Sequence, residues 1–338
     1  AFRCRVLISE DDALARLKVG DLVALPTETV YGLAGLALQA KTVRKIFELK
    51  GRPSSNPLIV HVNDVSGAKN LAEFNDLAIR TCKIFWPGPL TIVLPKKDLI
   101  PLEVTAGNQT VALRAPNHPV FRGILDRLKQ PLAAPSANPS NRTSPTTAAH
   151  IAELFGDKVP PTVDGGVCTV GLESTVLDLS SDRPTILRPG MITRKDLQLA
   201  LGEEVLLAPH IIQGIDKIYQ TTGAQSPGMS DCHYAPKTPL FLHAGTKQLL
   251  ESAELSREDL IIVCTAEEKN IIEQKDFSCL ALSISGNGEE IAHNLYSVLI
   301  EADKKKSRRL HLIFSQKPEG QNRAVFDRLN KAAVRSII

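Results

Sequence analysis

No uninterrupted apolar stretch in this 338-residue chain approaches the ~20 residues that a membrane-spanning helix needs. The opening segment, AFRCRVLISEDD, has no long apolar region of the kind a secretory signal carries. The six cysteines, Cys4, Cys82, Cys168, Cys232, Cys264 and Cys279, are far apart and form no CxxC pair. That spacing argues against a zinc site or a disulfide framework and for scattered thiols of a reducing compartment, so a cytoplasmic location is expected. Net charge is scarce too. The 40 Lys and Arg against 37 Asp and Glu leave a formal +3. This is too little for a general nucleic-acid coat, and any anion binding must rest on local clusters. Several signatures are missing. There is no GxxxxGK(S/T) phosphate loop, no GxSxG nucleophile elbow and no HExxH zinc helix. Nor is there a GxGxxG fingerprint, because SGNGEE at 285–290 lacks the third glycine.

What is present is ordinary globular material, 43% hydrophobic and 23% charged. At about 100–200 residues per domain, the length suggests two domains. Short runs rich in branched residues, DLVALPT (21–27), PLIVHV (57–62), LTIVLP (90–95), TVALRAP (110–116), PLAAPSA (131–137), STVLDL (174–179) and TILRPG (185–190), read as strands. Helical patterns lie between them. Ser9 is placed to cap EDDALARLKV, with acids in the first turn where the dipole favours them. In SPTTAAHIAELFG, Ser144 reads as the cap, Pro145 as the first helical residue and Gly156 as the stop. The alternation predicts an α/β domain over 1–203. Residues 204–238, containing QTTGAQSPGMSDCHYAPKTP, are polar and punctuated by Gly and Pro, as in a linker or an ordered loop. A second, smaller α/β unit follows over 239–338, with strand-like PLFLHAG, DLIIVCT, CLALSIS and RLHLIFS. The basic run ADKKKSRR (302–309) reads as a solvated helix end rather than an RNA site.

The first domain repeatedly places polar residues at strand ends, where open α/β sheets bind ligands. PTETVYGLAG carries Thr27, Glu28, Thr29 and Tyr31 ahead of what reads as a glycine-rich turn. SANPSNRTSP carries Ser136, Asn138, Ser140, Asn141 and Ser144, and GLESTV carries Glu173, Ser174 and Thr175. Arg114 and Arg188 sit in or at the ends of strands, where a charge is costly unless paired or liganded. In KGRPSSNPLIVHV, Lys50 and Arg52 precede a strand on a stiff polar lead-in, with Asn56 and His61 close behind. Lys50, Arg52 and Arg188 suit a polyphosphate, and the planar guanidinium suits bidentate capture of carboxylate or phosphate. Each residue has a plainer alternative. Thr27, Thr29, Ser136 and Asn138 fit turns, and Ser144 fits a helix cap. His61 fits a bonded core residue, and Lys50 a helix C-terminal cation before Gly51. Arg114 and Arg188 fit ion pairs with Glu28 or Glu173. Spacing alone therefore reaches an anionic small-molecule binder, of which a nucleotide is one case.

Taken in order, PTETVYGLAG, KGRPSSNPLIVHV, WPGPLTIVL, ALRAPNHP, APSANPSNRTSPTT, GLESTVLDL and ILRPG resemble the YrdC-like family. The segment SPGMSDCHYAPKTPL and the tail QNRAVFDRLNKAA resemble its two-domain members, the threonylcarbamoyl-AMP synthases. The resemblance implies a twisted open mixed sheet with a concave positive cavity, plus a small Rossmann-like domain. It implies synthesis of threonylcarbamoyl-AMP from L-threonine, bicarbonate and ATP with release of pyrophosphate. The product would feed tRNA threonylcarbamoyladenosine through separate transfer machinery. Carried over by motif, it puts threonine near Thr29, His61, Arg114, Ala134 and Ser174. It puts ATP near Arg52, Asn56, Thr110, Ser136, Ser144 and Arg188, with Lys50 and Asn138 in support and Tyr234 of the linker reaching over the cavity as part of a lid. Lys50 and Arg52 are the expected catalytic cations. Magnesium is expected with ATP, with no tightly bound cofactor and no acidic cluster naming its ligands. Ser230, Asp231 and Cys232 depart from the more basic run expected before His233 and Tyr234. Two rivals remain: an RNA-binding module without catalysis, and a carbamoyltransferase of hydrogenase maturation, whose zinc-finger cysteines this chain lacks.

Overall fold

The computed structural model describes residues 6–212, 233–252 and 255–337. Most of the linker, including the departure at Ser230–Cys232, lies outside the described residues. A nine-stranded mixed sheet organises the first domain. Its strands are β1 (Val23–Leu25), β2 (Gly32–Leu36), β3 (Ile59–His61), β4 (Leu90–Pro95), β5 (Thr110–Arg114), β6 (Leu132–Ala133), β7 (Thr175–Asp178), β8 (Thr185–Arg188) and β9 (Leu206–Leu207). Their order is β1-β2-β6-β3-β5-β4-β7-β8-β9. β3 runs parallel to β5, and β4 parallel to β7, whereas β4 and β5 are antiparallel. This arrangement brings the C-terminal ends of β3, β5 and β8 together with the N-terminal ends of β4 and β7. One face of the sheet is sealed by the main core, which includes Leu33, Val60, Leu94, Leu113 and Leu177. The other carries Ile59, Val93, Ala112, Val176 and Leu187. The period of two along a strand sets His61 beside Ile59, Arg114 beside Ala112 and Ser174 beside Val176 on that second face.

The second domain is a five-stranded sheet of β10 (Leu240–His243), β11 (Leu260–Val263), β12 (Cys279–Ala281), β13 (Leu310–Ile313) and β14 (Arg335–Ile337). Their order is β12-β11-β13-β10-β14, and every pair is parallel. LIIV and LHLI are buried along their whole length, as parallel strands covered on both faces must be. The longest helix, Gly288–Lys304, is started by Asn287, whose side chain accepts from the amides of Glu289 and Glu290. With helix Asn322–Ala332 it faces the first domain. Val30, Leu172 and Tyr234 share one apolar cluster with Leu295, Tyr296, Val325 and Leu329. Gly171 allows this approach. At φ +78° it adopts a left-handed backbone, and a Cβ there would lie 2.5 Å from the His293 carbonyl oxygen.

Four local expectations change. GLAGL forms β2 rather than a turn. Gly35 is needed for packing, because a Cβ there would fall 2.7 Å from Thr42 Cγ2 and 2.8 Å from Leu22 Cδ2. Gly35→Ala is expected to cost about 1–3 kcal/mol through overpacking, read as a lower urea midpoint with unchanged slope. The helix after SPTT begins at Ala148, and Thr147 is its cap, with its hydroxyl accepting from the His150 amide. Ser144 is not a cap: the helix starts beyond Thr147, the Pro145 carbonyl accepts from the Tyr31 amide at 2.9 Å, and the Ser144 hydroxyl is given to Glu173. The first domain does not end at 203: β9 pairs with β8, and Ala208 belongs to the first domain's core. PLAAPSA forms a strand of only two residues, Leu132–Ala133, followed by an isolated bridge from Ser136 to Gly32. The expected Ser9 cap is present, accepting from the Asp12 amide. Gly156, φ +57°, stops its helix as expected.

Candidate active site

A cavity opens where those strand ends meet. It is lined by Thr29, Arg52, His61, Arg114, Ser174 and Arg188, by Ala134–Ser136 just past β6, and by Val30, Ile59, Glu173, His233 and Tyr234. Eight of the residues expected from sequence thus converge, together with Tyr234 from the linker. Asn56, Thr110, Asn138, Ser144 and Lys50 are not in the lining. Asn56 and Ser144 stand directly behind it.

Arg52 is 7% exposed, and its guanidinium is fastened to its own loop. Nε donates to the Asn56 carbonyl at 3.0 Å, and Nη2 donates to Asn56 Oδ1 at 2.6 Å and the Pro57 carbonyl at 2.9 Å. Burial, with Arg188 nearby, lowers its pKa to about 10. It remains a cation held by a rigid proline-flanked lead-in. Arg188 donates from Nε and Nη2 to the Ser174 carbonyl, at 3.1 and 2.9 Å, and from Nη2 to Ser174 Oγ at 3.1 Å. Ser174 Oγ lies 2.8 Å from Thr91 Oγ1. A register shift in the β7–β8 pair sets Arg188 opposite Val176.

Arg114 sits directly across from His61 in the parallel β3–β5 register. Its Nη1 donates to Thr29 Oγ1 at 2.9 Å. Its Nη2 lies 2.8 Å from Glu28 Oε1. This is a charge pair without hydrogen-bond alignment: Nη2 and both Glu28 oxygens lack a hydrogen-bond partner among the described residues. The expected pairing of Arg114 with Glu28 is therefore real, and it leaves Nη2 a buried donor with a charge partner but no hydrogen-bond partner among the described residues. Thr27 organises this corner. Its hydroxyl donates to the Val30 carbonyl at 2.6 Å and accepts from the amides of Thr29 and Val30.

Lys50 is placed differently from the sequence expectation. Its ammonium donates to the carbonyls of Ser136 and Asn138, at 2.5 Å each. Burial, then Arg52, pushes its pKa well down. Two carbonyls take two of its three donors, so it fixes the SANPSN loop, and it does not line the cavity. It also ends its helix before Gly51, whose φ is +59°.

Residues that sequence reasoning named only in passing, or not at all, complete the site. Glu173 accepts from Ser144 Oγ at 2.5 Å, from the Tyr296 hydroxyl at 2.8 Å and from Arg328 Nε at 2.9 Å. Burial opposes its charge, but Arg328, then Arg188, outweighs that and holds its pKa at about 2. The His233 ring lies against Tyr234, tilted by 56° with centroids 4.0 Å apart, and its amide donates to the Lys331 carbonyl at 3.1 Å. Tyr234 holds φ at +64° and is 1% exposed.

Burial, then Arg114, lowers the His61 pKa to about 3, and burial, then Arg52, does the same to His233. Both rings are neutral when folded but ionise near 6.5 once unfolded. Below that pH the unfolded chain binds more protons. Stability is thus full above pH 6.5 and falls toward pH 3, by about 1.4 kcal/mol per pH unit for each ring. Urea melts between pH 7 and 5 are expected to show this slope before most carboxylates titrate. A His61→Asn variant with an undiminished slope would contradict it.

Comparison with known proteins agrees with this architecture. A family described as "Telomere recombination", the Sua5, YciO and YrdC group, matches residues 15–190. One described as "Threonylcarbamoyl-AMP synthase, C-terminal domain" matches residues 192–334. The threonylcarbamoyl-AMP synthase of Pyrococcus abyssi is 37% identical, over 95% of this chain and 93% of its own. That of Bacillus subtilis is 38% identical, over 95% and 92%. The crystal structure of P. abyssi Sua5 complexed with L-threonine superimposes with a TM-score of 0.86 at 33% identity, covering 98% of each chain. With both domains matched in order and the cavity at their junction, this chain belongs to the two-domain YrdC-like family of threonylcarbamoyl-AMP synthases.

Proposed function

We infer that this protein synthesises threonylcarbamoyl-AMP from L-threonine, bicarbonate and ATP, releasing pyrophosphate, for the threonylcarbamoyladenosine modification of tRNA. The observation that carries the reading is the convergence of Arg52, Arg114 and Arg188 on one buried cavity, in a chain similar along its length to enzymes of that name. Arg114, whose Nη2 is charge-paired with Glu28 but forms no hydrogen bond among the described residues, clamps the threonine carboxylate, with Thr29, His61, Ala134 and Ser174 around the rest of the amino acid. Neutral His61 offers Nδ1, which has no hydrogen-bond partner among the described residues, to the threonine hydroxyl. Analogues lacking that hydroxyl would strand it. Arg52, Ser136, Arg188 and Tyr234 face the nucleotide, and Lys50, Asn56, Asn138 and Ser144 hold their loops. Thr110, at the far end of β5 from Arg114, has no direct part in this arrangement.

The threonine amine adds to bicarbonate, and water leaves to give a carbamate. A carbamate oxygen then bonds to the α-phosphorus as the α–β phosphoanhydride breaks and pyrophosphate departs. Holding the labile carbamate beside ATP makes this step effectively intramolecular. Arg52 and Arg188 stabilise charge developing on the phosphoryl oxygens and leaving group. Tyr234 and the second domain keep water from the mixed anhydride. Magnesium enters as part of the nucleotide substrate. No cluster of three or more His, Cys, Asp or Glu among the described residues is arranged to hold it. No helix among those residues is long and apolar enough to cross a membrane. The test is to incubate the full chain with ATP, bicarbonate and threonine and seek the acyl-adenylate by mass spectrometry. Salt-dependent RNA binding with no threonine-dependent pyrophosphate release would overturn the reading in favour of an RNA-binding module.

A further inference from the structure

We propose that Arg328, on helix Asn322–Ala332 of the second domain, is a positioning residue for the active site of the first. It sets Glu173, the Arg188–Pro189 strand end and Tyr234 in one arrangement. This deepens the functional reading above and rests on it for the reaction that is measured.

The side chain is 0% exposed. Nε donates to Glu173 Oε2 at 2.9 Å, and Nη1 donates to the Pro189 carbonyl at 2.9 Å. Nη1 also reaches Asp327 Oδ2 at 2.8 Å, and Nη2 reaches the Glu173 carbonyl at 3.4 Å. The guanidinium carbon lies 5.2 Å from the centroid of the Tyr234 ring. Apart from its neighbour Asp327, every group it meets either lines the cavity or adjoins a residue that does. Glu173 precedes Ser174, Pro189 follows Arg188, and Tyr234 is itself a wall. A buried ion pair is seldom the most stabilising way to join two domains, because apolar packing does as well without desolvating charge. A planar fork instead fixes the relative geometry of three walls at once. Tyr234 has no hydrogen bond of its own to hold it, since its hydroxyl is unpartnered among the described residues. The cation over its ring is thus its polar anchor.

The test uses the full chain with Arg328→Met, Arg328→Lys, Glu173→Gln and the double variant Arg328→Met/Glu173→Gln. Three readouts are taken: threonine-dependent pyrophosphate release, thermal midpoint, and nitration of Tyr234 by tetranitromethane mapped by mass spectrometry. Arg328→Met is expected to lower kcat about 100-fold, as small misplacements of reacting groups do. The KM for threonine, held on the Arg114 side, should change little, and Tyr234 should become reactive. The double variant removes the stranded carboxylate, so its thermal midpoint recovers, while kcat stays low and Tyr234 stays reactive. Arg328→Lys keeps the charge without the fork and is expected to fold, with a lowered kcat and partly exposed Tyr234. It carries the test should Arg328→Met fail to fold. Recovery of kcat and Tyr234 protection together with stability in the double variant overturns the proposal. So does a lysine variant that matches wild type in both. A wild-type protein without threonine-dependent turnover would sink the functional reading instead, and Tyr234 nitration would still decide the role of Arg328.

Discussion

Arg52→Ala is expected to lower threonine- and bicarbonate-dependent pyrophosphate release by about 100- to 1,000-fold, the usual cost of removing one preorganised donor from a developing anion. Its orientation is set in advance. The Asn56 carbonyl, Asn56 Oδ1 and the Pro57 carbonyl hold two of its nitrogens, so no reorganisation is required as charge builds on the phosphoryl group. The nearby Arg188 makes the same region favourable for an anion and unfavourable for any cation without one. Removing Arg52 also leaves Asn56 Oδ1 and two carbonyls without their donor, a stability cost of about 1–3 kcal/mol, so the defect in kcat and in the KM for ATP is read on protein shown to be folded. Arg52→Lys, which keeps charge but loses the fork, is expected to recover only part of the rate. Steady-state kinetics check both. Near-normal turnover in a folded Arg52→Ala protein would remove Arg52 from the chemistry.

Arg114→Ala should do two separable things. It raises the threonine requirement by removing the carboxylate clamp, a charge-assisted contact of about 1.5–3 kcal/mol, or roughly 10- to 150-fold in KM. It also strands Glu28, which is 6% exposed and loses the cation 2.8 Å away. Breaking a buried pair from one side costs about 3–5 kcal/mol of stability. Arg114→Ala/Glu28→Gln is expected to regain much of that stability while the threonine defect persists. Urea melts and threonine titrations on the same samples decide the matter. If the double variant recovers threonine affinity as well, Arg114 acts on the fold rather than on the substrate.

Legibility along the chain followed the range of the interaction involved. The Ser9 cap, the Gly156 stop and the apolar runs of β4, β10, β11 and β13 were readable because their determinants lie within a few residues. β2 was misread because GLAGL is strand-like only once Gly35 has Thr42 and Leu22 against it. Ser144 was misread as a cap because its partner, Glu173, lies 29 residues away. Lys50 read as a phosphate cation, yet the carbonyls that occupy it are 86 and 88 residues distant. The Arg114–Glu28 pair was foreseen as one of several options. Only the register of β3 and β5, with Thr29 folded back on Arg114, selected it.

By itself, the sequence determined that the chain folds as two α/β units and which motifs gather polar side chains at strand ends, because periodicity, capping and turn chemistry act locally. Tertiary structure alone decided which cations face the cavity, which are spent on carbonyls, and that a guanidinium 155 residues from Glu173 would close the site from the second domain. The physical reason is that a buried charge is tolerable only where its partners are, and partners are assigned by sheet order and domain contact rather than by neighbours in the chain.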